Sequence, residues 1–285
     1  MPYASMRHAS RLLASLVLAF CVTFLAEAAE AGMGQPSNWQ LGLQEPATSV
    51  QAWVTTFHDF LLFLITLVTL FVLALLVWVM WRYNARNNLT PSKTSHNTLV
   101  EVAWTVVPVL ILFAIAIPSF RLLFYQTVLP NPEITVKATG KQWFWTYAYP
   151  DSGKLEYDSL PVDDASLKPG QPRMLATDNP LVVPVNKVVR VQVLGGDVIH
   201  AFGVPSFGVK IDAIPGRLNE TWFKAEREGT YYGQCYELCG RNHAFMPIEV
   251  RVLSEQAFAT WLEEAKKKFS GNEAGDAQLA SAPAH

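Results

Sequence analysis

Residues 134–149 read ITVKATGKQWFWTYAY. Both parts, ITVKATG and KQWFWTYAY, are short, β-branched or aromatic, and partly alternating, which is how half-buried strands are written. VVRVQVLG (188–195) and PIEVRVL (247–253) repeat the pattern, and DNP (178–180), IPG (214–216) and REG (227–229) break it with turn residues. The spacing predicts an all-β sandwich or barrel, with VVRVQVLGGDVIH running as one strand to His200. A single amphipathic helix is predicted over SEQAFATWLEEAKKKF, with Ser254 as its N-cap. Residues 270–285 are small and polar and read as a disordered tail. There is no internal repeat.

A chain of 285 residues holds one or two domains. The net charge of -2 argues against a nucleic-acid partner. Three cysteines are too few for a disulfide scaffold, and without a C-x-x-C-H there is no sign of attached haem. Toward the N-terminus, Arg7 and Arg11 precede the apolar LLASLVLAFCVTFLA and the small residues of AEAAEAG. This is a signal peptide over 1–29, cut near residues 28 to 31, and Cys21 leaves with it. A lipoprotein reading of LAFC is weakened by the bulk of Phe20.

Residues 30–52 then form a periplasmic segment, and 53–125 a transmembrane helical hairpin. Phe60 to Trp81 is free of charge and spans about 33 Å as a helix, enough for a hydrocarbon core. Trp78 and Trp81 sit where an interfacial aromatic belt belongs. Val102 to Phe120 is the second run, closed by Arg121; its Pro108 and Pro118 are tolerated in spanning helices. The connector carries Arg82, Arg86 and Lys93, whereas residues 29–59 carry no lysine or arginine. The positive-inside rule therefore puts the connector in the cytoplasm and both chain ends outside, as the signal peptide also requires. Glu101, at the head of the second span, reads as an interfacial carboxylate or as a proton-uptake group.

Within the β domain (126–269) lies CYELCGRNHAFM, residues 235–246. Three chemistries fit parts of it. A Cys235–Cys239 disulfide suits an exported domain but leaves His243 and Met246 unexplained. Zinc accepts Cys235, Cys239, His243 and a distant His200, but leaves the soft thioether of Met246 idle. Copper uses Cys, His and Met together, and a second thiolate allows two ions to be bridged.

The motif H…C-x-E-x-C-x3-H-x2-M, with EVAWTVVPVLIL, IPSFRLLF, GKQWFWTYAY, DVIHAFGVPSFGVKIDAIPGRLNETWF and GTYYGQCYELCGRNHAFMPIEV, resembles subunit II of bacterial haem–copper cytochrome c oxidases. The resemblance runs from the first span to about residue 265. It implies a membrane-anchored all-β protein whose cupredoxin-like β-barrel carries a dinuclear copper A centre. Cys235 and Cys239 would bridge the coppers; His200, His243, Met246 and the backbone carbonyl of Glu237 would complete the ligands. The Glu237 carboxylate would face a magnesium or manganese ion shared with subunit I. The resemblance further implies Trp143 as the point where electrons enter from cytochrome c, although a strand aromatic is ordinarily core. Glu101 would stand at the mouth of a proton path. Asp178 and Asp197 fall at positions that are acidic in relatives and would help dock a basic donor; Ala148 and Lys154 fall where relatives often carry acids. The implied partners are subunit I with haem a, haem a3 and copper B, subunit III, cytochrome c and membrane lipid. The implied activity, in a bacterial inner membrane, is electron delivery of the aa3 type for reduction of oxygen to water coupled to proton pumping, with the oxygen chemistry in subunit I. A membrane-tethered metal carrier and a copper-free quinol oxidase subunit are the competing readings; the intact ligand set speaks against the second.

Overall fold

A computed structural model of the protein describes residues 34–153 and 155–269. The stretch read as a signal peptide, with Cys21, and also Lys154 and the tail 270–285, lie outside the described residues. Two long helices come first, α1 (Ser49–Arg82) and α2 (Thr98–Thr127). Both extend past the apolar runs of the sequence because caps lie further out. Thr48 accepts the Gln51 N–H, and Asn97 accepts those of Leu99 and Val100. The Glu101 carboxylate returns to the Asn97 N–H at 3.2 Å, so the amide of the cap residue is satisfied as well. Helix α2 continues through Pro108 and Pro118. Each helix is long and apolar enough to cross a membrane, and its apolar side chains are exposed along the span.

Among the described residues, ten strands follow in two five-stranded sheets. The first holds β1 (Ile134–Lys141), β2 (Phe144–Tyr149), β3 (Leu155–Ser159), β5 (Val188–Gly195) and β8 (Asn219–Lys224), in the order β3-β2-β1-β5-β8. The second holds β4 (Leu181–Pro184), β6 (His200–Val204), β7 (Val209–Ala213), β9 (Gly229–Cys235) and β10 (Pro247–Leu253), in the order β4-β10-β9-β6-β7. Pairs β1–β5 and β4–β10 are parallel and the rest antiparallel. Alternation fills the space between the sheets: Trp145, Tyr147 and Tyr149 of β2 and Val189, Val191 and Val193 of β5 project inward from the first sheet and share one core with Phe202, Phe207 and Tyr231. Strands β7 and β8 meet along one side and partly close the sandwich into a cupredoxin-like half-barrel. Helix α3 (Glu255–Phe269) begins where Ser254 accepts the Ala257 N–H, and lays Trp261 and Phe269 over Tyr157.

His200 requires one correction. It does not end the strand of 188–195 but opens β6 in the opposite sheet. Gly195 and Gly196 make the change of sheet possible, since a side chain on Gly195 would collide with the Ala213 carbonyl 2.7 Å away.

The hairpin is seated on the sandwich by polar bonds. Thr48 Oγ1 donates to the Phe207 carbonyl (2.8 Å), Ala47 N–H to Ser206 (2.8 Å), and Arg227 pairs with Glu45 (2.6 Å). Tyr125 at the end of α2 meets Trp53 and Trp222 edge to face or tilted.

The outer edge of β4 is closed by a tyrosine from the other sheet. Tyr149 Oη donates to the Val182 carbonyl (2.8 Å) and accepts the Val182 N–H (3.0 Å). Tyr149→Phe leaves both buried groups unpaired, a cost of about 1–3 kcal/mol. Thermal unfolding of the variant is expected several degrees lower, at roughly 2–4 °C per kcal/mol for a domain of this size. An unchanged Tm would show that the edge is satisfied another way.

Candidate metal centre

Three segments converge at one end of the sandwich: the β1–β2 turn, the start of β6, and the loop between β9 and β10. Strand β9 delivers Cys235, and its N–H donates to the Met246 carbonyl at 3.1 Å, which folds the loop back onto itself. The two sulfurs lie 3.8 Å apart, and both cysteines are buried and free. That separation is far beyond the ~2.05 Å of a disulfide. His200 Nδ1 lies 3.9 Å from Cys235 Sγ, and His243 Nδ1 lies 3.5 Å from Cys239 Sγ. The Glu237 carbonyl is 3.3 Å from Cys235 Sγ, whereas its residue is exposed. Met246 is fully buried in the same core. The ligand atoms of His200, Cys235 and Cys239 all fall within 4.8 Å of one another.

Every residue that the sequence assigns to the copper set is thus in this region, and the pairwise contacts link five of the six. This donor set fits two soft ions: paired sulfurs at the middle, an imidazole on each side, and a carbonyl and a thioether in reserve. In the metal-free chain, burial pushes the Cys235 thiol up, but hydrogen bonds with the His200 ring, the Ala201 and Glu237 backbone and Cys239 together outweigh it and bring it down to about 7. Burial, together with the charge on Cys235, pushes Cys239 up to about 12.

The ring of His200 is completely buried. Its Nε2 lies 2.8 Å from Asp197 Oδ1. A carboxylate only accepts, so Nε2 carries a proton and Nδ1 is the ring atom turned toward Cys235. Burial raises the Asp197 carboxyl, but His200 and the amides of Val198 and Gln142 hold it below its ordinary value, so it stays ionised at neutral pH. Gly140 permits this packing, because a Cβ there would stand 3.0 Å from the His200 ring.

Trp143 is half-buried at the turn before β2, and its Nε1–H donates to the Cys239 carbonyl at 3.2 Å. Gln142 Nε2 donates to the same carbonyl at 2.9 Å. Gly240, at φ +120°, lies under both side chains: a Cβ would meet Gln142 at 3.1 Å and the indole at 3.2 Å. Beside Trp143 runs a surface groove of about 720 Å³, lined by Phe144, Leu160, Asp163, Met174 and Phe245 among others. Asp178 lies away from the cluster and accepts the Leu160 N–H (2.7 Å). Glu101 is in the hairpin. Sequence reasoning passed over Gln142, Gly140 and Gly240. An aspartate three residues before a ligating histidine was the available signal for the role of Asp197, but that spacing alone is weak.

Comparison with known proteins gives a consistent result. The family described as "Cytochrome C oxidase subunit II, periplasmic domain" matches residues 134–253, and "Cytochrome C oxidase subunit II, transmembrane domain" matches 36–122. A probable cytochrome c oxidase subunit 2 of Rickettsia bellii is 48% identical over 238 residues, 84% of this chain and 88% of that protein. The cytochrome c oxidase subunit 2 of Cereibacter sphaeroides is 41% identical over 252 residues, 82% of this chain and 83% of that one. Among solved structures, the periplasmic domain of cytochrome oxidase subunit II from Bradyrhizobium japonicum is 65% identical and aligns with a TM-score of 0.47, covering 50% of this chain and 99% of its own.

Proposed function

Because the chain belongs to the cytochrome c oxidase subunit II family, we propose that its periplasmic domain takes electrons from a cytochrome c and delivers them to the haem a of subunit I, in an enzyme of the aa3 type. The observation that carries this reading is the buried Cys235–Cys239 pair, with an imidazole against each sulfur. Cys235, Cys239, His200, His243, Met246 and the Glu237 carbonyl would hold two copper ions. Bound there, the copper pair supplies a one-electron relay in which little rearranges as charge arrives.

The residues of the chain do the remaining work. Asp197 fixes the tautomer of His200, and burial keeps water from the thiolates. Trp143 touches the backbone of the ligand loop and faces a groove, which supports its role as the point where electrons enter. Asp178 and Asp197 contribute negative charge that steers a basic donor. Glu101 stands at the head of α2, on the side where protons would be taken up for pumping. Oxygen reduction itself is assigned to subunit I, with haem a3 and copper B; subunit III completes the assembly. The bare apolar faces of α1 and α2 support burial in the inner membrane, against lipid and subunit I, with both chain ends periplasmic.

The deciding experiment is EPR and optical spectroscopy of the purified, copper-loaded full chain. Two coppers per chain and a purple mixed-valence spectrum with a multi-line signal are expected. Binding of one zinc-like ion, without that spectrum and without a haem-bearing subunit on purification, would favour a metal carrier instead.

Glu237 offers a separate check. Its carbonyl points to the sulfurs while its exposed side chain is turned out, which suits a hard cation at the contact with subunit I. Glu237→Gln is expected to leave the copper signal largely intact and to weaken the neighbouring magnesium or manganese site. Manganese EPR of the assembled enzyme reads this directly, and an unchanged manganese signal would remove the double role.

A further inference from the structure

Asp197 does more than a surface acid needs to do. A docking carboxylate should point outward, yet both oxygens of Asp197 are engaged by its own chain. Oδ1 accepts from His200 Nε2 (2.8 Å) and from the Val198 N–H (2.6 Å), and Oδ2 accepts the Gln142 N–H (2.7 Å). Gln142 and its neighbour Trp143 both donate to the Cys239 carbonyl. These bonds join three segments that are distant in sequence: the turn at 142–143, the start of β6, and the ligand loop.

We infer that Asp197 is a positioning residue that holds His200 and the Trp143 turn in one fixed geometry, so that ligand and electron-entering indole are set by the same carboxylate. This rests on the copper-binding reading above. It goes beyond a docking role, because charge alone would steer a donor from any nearby position, whereas two directed bonds require this side-chain length. The groups facing the carboxylate are the His200 ring and the amides of Gln142 and Val198. All three bonds are already 2.6–2.8 Å long, so a longer arm must displace at least one of these partners.

Two substitutions separate geometry from charge. Asp197→Glu retains the charge but shifts the oxygens by a methylene. Asp197→Asn retains the shape but turns an amide donor toward the His200 N–H unless it flips, in which case the Gln142 amide loses its acceptor. Both are compared in the assembled oxidase with Asp178→Asn, whose carboxylate has no bond to the centre. Copper affinity, EPR hyperfine pattern, and hydrogen exchange of the peptide around residues 140–145 are read beside steady-state kinetics.

For Asp197→Glu the expected results are a copper affinity roughly 10–100-fold weaker, an altered hyperfine pattern and faster exchange at the turn. KM for cytochrome c should stay within about twofold. Asp178→Asn should move KM and its salt dependence while leaving the EPR spectrum alone. If both Asp197 variants kept the wild-type spectrum, affinity and exchange, and changed only KM, Asp197 would be a docking acid and the positioning role would be wrong. If the unsubstituted chain bound no copper pair, the underlying functional reading would fail instead, and the exchange data on the metal-free chain would still decide whether Asp197 holds the turn. Should one variant not accumulate, the other still decides the question, because each disturbs the bonds of the same carboxylate in its own way, one by reach and one by loss of an acceptor.

Discussion

Cys239→Ser is expected to abolish the proposed dinuclear copper signal and to lower cytochrome c oxidation by the assembled enzyme more than about a hundredfold, beyond the 10–100-fold usual for loss of an outer partner of a metal site. The reason is local. Cys239 is 4% exposed, its sulfur is 3.8 Å from that of Cys235, and the His243 ring stands 3.5 Å away. A serine oxygen is harder and smaller, keeps its proton, and cannot serve as a shared soft ligand between two ions. The fold should survive, because the sulfur's backbone neighbours are held by other bonds: Gln142 and Trp143 grip the carbonyl of the same residue. Circular dichroism and thermal unfolding of the metal-free chain are expected to change by no more than about 1–2 kcal/mol. Copper analysis and EPR check the first claim. A serine variant that still held two coppers per chain with the mixed-valence spectrum would overturn the assignment of Cys239 as a bridging ligand.

Trp143→Phe has the second largest effect, and of a different kind. The copper content and EPR spectrum are expected to stay as they are, while reduction of the centre by cytochrome c is expected to slow by at least about tenfold, equivalent to roughly 1.4 kcal/mol of barrier. Phenylalanine fills most of the indole's volume beside Gly240 but has no N–H for the Cys239 carbonyl, so the hydrogen-bonded link from the indole to the ligand loop is cut. Gln142 still holds that carbonyl at 2.9 Å, which is why the ligand geometry persists. Stopped-flow reduction by cytochrome c, run beside a small-molecule reductant that needs no docking, separates the two functions. Equal slowing with both reductants would mean that the substitution had damaged the centre itself. A variant reduced by cytochrome c at the wild-type rate would remove Trp143 from the route.

Much of the architecture was legible in the chain. Strands at 134–141, 188–195 and 247–253 follow from a period of two, and the helix after Ser254 from its cap and its apolar stripe. The spans are legible because lipid demands long uncharged runs. Their ends are not, since Thr48 and Asn97 set them outside the apolar windows.

Trp143 shows where local pattern stops. It shares phase with Trp145, Tyr147 and Tyr149, and periodicity alone places all four in the core. Trp145 is indeed completely buried, while Trp143 precedes the first residue of β2 and remains at the turn. His200 shows the same limit from the other side: it looked like the end of one strand and proved to be the start of another, across the sandwich from it.

By itself, the sequence determined which donors this protein carries: two thiols, two imidazoles and a thioether in an order that few functions share, behind two apolar spans. The tertiary structure decided how those groups are held. His200 reaches Cys235 across 35 positions, and Gln142 reaches the Cys239 carbonyl across 97. Side-chain alternation encodes which face a residue takes, but not which distant turn will lie opposite it. That pairing comes from the sheet order and from the glycines that let backbones approach. It is also what turned Asp197 from one surface acid among several into the carboxylate that joins His200 to the Trp143 turn.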